Sequence, residues 1–139
     1  MTANDGSFTF TGPGPADVLP KSDGFWELDS HAWDGGSCVV YLYYTGDESD
    51  PSSYARGRLL SWVAGMSDPH ERPTHIKLGS AVGWRTEMSN EDGSIPVGAF
   101  QVLYREGWEY SMGCSLSFTH PKVDDTLTTR FLDSFRAPA

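Results

Sequence analysis

From Trp108 to Thr119 the chain alternates without a break. Trp108, Tyr110, Met112, Cys114, Leu116 and Phe118 fall on one side, and Glu109, Ser111, Gly113, Ser115, Ser117 and Thr119 on the other. A period of two over that length predicts a β-strand with one face on a core. It also predicts an antiparallel sheet covered on one side only. The outward row is unusual, being almost all hydroxyls and glycine. A shorter alternation over residues 7–11 puts Phe8 and Phe10 on one face, and Gly12-Pro13-Gly14-Pro15 ends it. Residues 12–24 read as an irregular loop. A hairpin follows, with arms 25–33 and 37–44 joined by Asp34-Gly35-Gly36, whose glycines supply the positive φ of a tight turn. Its second arm is apolar on both faces, which predicts a central strand.

The period changes after Tyr44. Asp50 is placed to cap a helix and Pro51 fits its first position. Ala55, Leu59, Trp62, Val63 and Met66 form the apolar stripe, and Asp68-Pro69 stops it. A meander of strands 74–88, 95–104 and 108–119 comes next, the first with a break at Gly79-Ser80. Its connections are Asn90-Glu91-Asp92-Gly93 and Arg105-Glu106-Gly107. Val123, Leu127, Phe131 and Phe135 step by four and predict a terminal helix from about Lys122. The predicted order is β-β-β-α-β-β-β-α. This is an α+β fold: a single bent antiparallel sheet of about six strands with two helices chiefly on one side. The 139 residues make one domain, with residues 1–6 and 137–139 as flexible ends.

Charge narrows the function classes. A net charge of -9 argues against nucleic acid and anionic membranes, and it suits a basic partner. No apolar run approaches the ~20 residues of a membrane span. The polar, turn-rich start from Met1 to Ser7 does not resemble a signal peptide, so the expected location is cytoplasmic, or secreted or lipid-anchored if a leader was removed. Cys38 and Cys114 both fall in predicted strands. Free buried thiols acting as small hydrophobes are the preferred reading, and a bridge between neighbouring strands is the alternative.

Candidate chemistry is sparse. His31, His70, His75 and His120 lack metal-ligand spacing, and Asp47, Glu48 and Asp50 lack the spacing of a calcium loop. Neither a metal nor a cofactor is expected. Glu87 and Glu109 face away from the predicted core, near Arg85 and Arg105, which points to cross-strand ion pairs on an exposed face. No nucleophile elbow occurs, and Cys114 points with the core residues.

Three stretches carry a family resemblance. Ile76-Lys77-Leu78-Gly79-Ser80-Ala81-Val82-Gly83-Trp84-Arg85 resembles a small-residue bend entering a long strand. Gly107-Trp108-Glu109-Tyr110-Ser111-Met112 resembles a last strand opened by Gly, and Phe131-Leu132-Asp133-Ser134-Phe135-Arg136 resembles a closing helix that ends in Ser-Phe-Arg. Together they resemble the PsbP-like superfamily, which includes the photosystem II extrinsic subunit, a Ran-GTPase-binding import factor, actinobacterial lipoproteins and chaperones for secreted bacterial effectors. The likeness covers roughly residues 50–136, and the first 45 residues depart from it. It carries no shared catalytic residues and implies binding rather than chemistry.

The expected function is therefore a non-catalytic protein-interaction module, an adaptor or chaperone that holds a partner segment on its sheet face. Tyr41, Tyr43, Arg85, Glu87, Glu109, Ser111, Ser115 and Ser117 are the residues for that contact. A second reading is a small-molecule or lipid pocket between sheet and helices, lined by Trp62, Met66, Trp84, Phe100, Trp108 and Met112. A third is a small acid–base enzyme using Glu109 or His31 as base. A homodimer through an edge strand stays open.

Overall fold

A computed structural model describes residues 1–12, 17–29, 37–64, 73–89, 96–115 and 125–138. The strands are β1 (Thr9–Phe10), β2 (Asp17–Ser22), β3 (Phe25–Asp29), β4 (Ser37–Tyr44), β5 (Thr74–Leu78), β6 (Ala81–Ser89), β7 (Pro96–Arg105), β8 (Trp108–Ser115) and β9 (Phe135–Arg136). The helices are α1 (Pro51–Val63) and α2 (Asp125–Asp133). Seven strands form one antiparallel sheet in the order β2-β3-β4-β8-β7-β6-β5, and β1 pairs with β9 in a second, two-stranded sheet.

The α+β class holds, and the sheet is larger than its reading. Residues 17–22, read as loop, form an edge strand paired with β3. Pro20 sits there without breaking the sheet because an edge strand need not donate on its outer side. The break at Gly79-Ser80 is a hairpin turn between two separate strands, with Gly79 at φ 63°. Phe135 leaves the helical step of four and pairs with Phe10 as β9. The first residues are not a loose end: Thr2 bridges Thr9, and the Ala3 amide donates to the Phe8 carbonyl at 3.0 Å.

The two helices do not share a side of the sheet. On α1, Ala55, Leu59 and Val63 are buried against Phe100 and Val102. On α2, Phe131 and Leu132 join the cluster that holds Ala99, Leu103, Met112 and Tyr110. Residues 100 and 102 alternate with 99 and 103 along β7, so the helices cover opposite faces. The α2 face is the larger core. Phe10 stacks on Phe131 at 4.3 Å, and Phe8 meets Trp26 edge-on at 5.1 Å.

Polar side chains fasten each helix. The Asp50 carboxylate accepts from the Ser53 amide at 3.1 Å and from its hydroxyl at 2.8 Å, capping α1 with Pro51 at its first turn. Trp84 donates its indole N–H to the carbonyl and hydroxyl oxygens of Ser52, both at 3.0 Å. On the other face, Arg85 donates to Gln101 at 2.8 Å and to Asp133 at 2.7 Å, and Gln101 donates to the Leu132 carbonyl at 3.3 Å. Cys38 and Cys114 stand directly opposite each other in β4 and β8 and are joined as a disulfide, with Cα atoms 4.1 Å apart. The free-thiol reading is corrected here: strand register brings two positions 76 residues apart in sequence within bridging distance.

Candidate functional site

Within the row of small residues on β8, Gly113 and Ser111 are covered by the protein itself. The Phe100 ring of β7 lies over Gly113, in the space where a Cβ would stand. Ser111 and Glu109, one and two steps further along the same face, are buried. Glu109 therefore does not lie on an exposed surface paired with Arg85 or Arg105. Its carboxylate accepts from Arg58 Nε at 2.9 Å, from Tyr54 Oη at 3.1 Å and from Ser111 Oγ at 2.8 Å. Three donors compensate the removal of the carboxylate from water.

On the β3–β4 part of this face, beside α1, Phe25 and Tyr41 are half-buried and Tyr43 is exposed. Phe25 of β3 and Tyr41 of β4 are stacked at 4.6 Å, and Tyr41 and Tyr43 lie parallel at 6.2 Å. Trp62 on α1 meets Tyr41 edge-on at 6.3 Å and Phe100 edge-on at 5.2 Å. Between them is a cleft of about 350 Å³ lined by Tyr41, Tyr43, Arg58, Ser61, Trp62 and Ser111. Its aromatic floor continues into solvent, with Tyr43 at 45% exposure. Arg58 forms part of the wall while holding Glu109 beneath, and its side chain is 49% exposed.

The electrostatics of this cleft follow from that buried anion. Hydrogen bonding and charge attraction from Glu109 push the Arg58 guanidinium above its ordinary pKa. Burial, then the Glu109 charge, raises the Tyr54 phenol. Burial raises Tyr43 as well, with smaller contributions from Tyr41 and Glu109. At neutral pH the cleft thus presents the un-ionised Tyr43 phenol, the hydroxyls of Ser61 and Ser111, and a guanidinium already matched to a carboxylate.

The residues predicted for the sheet face divide. Tyr41, Tyr43 and Ser111 meet in the cleft, with Glu109 under it. Arg85 and Glu87 point to the opposite face, where Arg85 binds Asp133 and Glu87 accepts from Thr129 at 3.1 Å. Ser115 pairs with Ser37 and Gly98 in register. Ser117, Met66 and His31 lie outside the described residues, as do His70, His120, Glu91 and Asp92.

The predicted pocket lining divides too. Trp62, Trp84 and Phe100 lie on the α1 face, whereas Met112 is buried on the α2 face and accepts from Gln101. Trp108, read as a core residue, is 40% exposed, with its ring edge-on against Tyr44. Sequence reasoning missed Tyr54, Arg58 and Ser61. The available signal was the spacing of Tyr54, Arg58 and Trp62, four apart and so on one line of a helix. Among the described residues no group of three or more His, Cys, Asp or Glu converges to hold a metal ion. No described helix is long and apolar enough to cross a membrane.

No family model matches the chain, and no curated protein matches it. A solved structure from Bacteroides thetaiotaomicron VPI-5482 is similar in fold, with a TM-score of 0.57 at 10% identity over 100% of this chain and 48% of that one. This chain therefore spans about half the length of that protein, and the likeness is one of fold alone.

Proposed function

We propose that the protein is a non-catalytic interaction module that holds a segment of a partner protein in the aromatic cleft beside α1. The observation that carries this reading is the continuous run of Phe25, Tyr41 and Tyr43 next to Trp62, half-buried at the first two and exposed at Tyr43. Aromatic side chains with one wet edge are enriched where proteins meet, because they bury much area with little loss of rotamer freedom. The ready-made cleft favours a side chain inserted from above over broad contact across the sheet. The resemblance to PsbP-like proteins, whose members mostly bind proteins, supports the same class. Glu109 takes a structural part in this reading, with its oxygens committed to three donors.

Site-specific photocrosslinking tests it. Tyr43→p-benzoylphenylalanine is expected to form adducts in the native host that map to one segment of one protein. Trp62→Ser should remove them, while the probe at exposed Lys77 on β5 should give none. Adducts that survive Trp62→Ser, that match those from position 77, or that never form would refute the cleft.

A further inference from the structure

A second concavity lies on the other face of the same strands. Leu42 and Trp108 alternate with Tyr41, Tyr43 and Glu109, so they point away from the aromatic cleft. There a cleft of about 600 Å³ opens between the first residues of the chain, the β2–β3 turn and the start of β8. Asn4, Asp5, Asp23, Trp26 and Trp108 are among its lining residues.

Its floor is fixed and its rim is wet. Trp26 is buried, and its indole N–H donates to Asn4 Oδ1 at 2.9 Å. Trp108 remains 40% exposed, and the Tyr44 ring packed edge-on against it at 5.1 Å is 67% exposed. Asp23 is held at the rim by a turn that the sheet grips. Gly24 has φ 73° and accepts from the Leu42 amide at 2.8 Å. A Cβ on Gly24 would lie 2.6 Å from the Leu42 carbonyl oxygen. Asp5 is fixed in turn by the backbone N–H and hydroxyl of Ser7. Lys21 lines the same cleft but is already ion-paired with Glu27 at 3.4 Å.

A part-exposed indole lining the same cleft as two carboxylates makes a receptor for a cation. The ring quadrupoles attract a guanidinium or ammonium, and the carboxylates accept its N–H groups. We propose that this cleft receives the arginine or lysine side chain of a basic segment of a partner protein. A saccharide would use the same rings and oxygens. The cation is favoured because the chain carries a net charge of -9, which draws basic partners at long range and repels acidic ones. The inference does not depend on the aromatic cleft, since the two sites lie on opposite faces and share no lining residue.

Titration of the isotopically labelled full chain tests it, read at the tryptophan indole N–H signals. The probes are a peptide of alternating Gly and Arg, the same peptide with Gln for Arg, and methyl glucoside. The Arg peptide is expected to shift Trp108 saturably while the buried Trp26 moves little; the Gln peptide should leave both unchanged. Asp5→Asn with Asp23→Asn should weaken the binding roughly fivefold or more. About 1 M NaCl, which screens charges beyond roughly 3 Å, should weaken it as well. An equal response to the Gln peptide, binding indifferent to salt and to both Asp→Asn changes, a response to methyl glucoside alone, or no response at all would each overturn the proposal.

Discussion

The carboxylate of Glu109 in β8 is fully buried, and the guanidinium that holds it, Arg58 on α1, reaches it across 2.9 Å from a position half in solvent. That asymmetry predicts which partner matters more. Arg58→Ala leaves the carboxylate in place with only the Tyr54 and Ser111 hydroxyls to bond it, and should cost about 1–3 kcal/mol. Once Glu109→Gln has removed the charge, the same Arg58→Ala should cost much less. Urea denaturation of the two singles and the double measures this coupling, and additivity within about 0.5 kcal/mol would show that the pair is not an interacting unit.

What strand alternation reveals, and what it leaves hidden, follows from the same residues. The period of two over β8 separates Glu109, Ser111 and Gly113 from Tyr110, Met112 and Cys114, as the strand does. It carries no information about what lies above either row. A helix placed over a polar row turns that row into an interior, and Glu109 and Ser111 are then chosen by α1 rather than by water. β7 held the missing signal. Ala99 and Leu103 are apolar on one face while Phe100, Val102 and Tyr104 are apolar on the other, as in a sheet covered on both sides. Pro20 hid β2 because proline marks turns as often as edge strands. The cleft is half visible in the sequence: Tyr41 and Tyr43 stand out as sheet-face residues and Trp62 as pocket lining, and only the tertiary fold brings β4 beside α1.

The contact between Gly113 and the Phe100 ring predicts a paired effect. A methyl group added at residue 113 meets the ring itself, and the ring is buried with little room to move. Gly113→Ala should therefore destabilise by about 1–3 kcal/mol. In a Phe100→Leu background, where the ring is absent, the same substitution should cost clearly less. Thermal melts of the four proteins decide it. An unchanged cost in the Leu background would mean that backbone conformation, not the ring, requires glycine there.

The cap of α1 gives a pH dependence with a definite sign. The Ser53 amide and hydroxyl bond the Asp50 carboxylate and hold its pKa below the ordinary aspartate value. A pKa depressed in the folded state contributes stability that is complete above the unfolded value, about 3.9, and is lost as pH falls through the folded one. Asp50→Ala should lower the melting temperature near neutral pH, and the gap to the wild type should close in acid below about pH 4. A gap that stays constant down the whole acid range would rule out the ionised cap as its source.

The Cys38–Cys114 bridge ties β4 to β8, neighbouring central strands, and spans 76 residues of sequence. Both cysteines are buried, so a reductant reaches the bridge only when the sheet opens. Restricting an unfolded chain over a loop of that length contributes about 4.5 kcal/mol in the chain-entropy view, and commonly about 2–4 kcal/mol in practice. Reduction, or Cys38→Ala with Cys114→Ala, should lower the denaturation midpoint accordingly. The native protein should also resist dithiothreitol far longer than the protein in urea. Such bridges form and persist in oxidising compartments, whereas the cytoplasm keeps thiols reduced. Alkylation with iodoacetamide directly in lysing cells, followed by intact-mass measurement, therefore reads both the bridge and the compartment. No added alkyl groups on the denatured, unreduced chain is the expected result. Two added groups would show that the paired cysteines stay as thiols where the protein works.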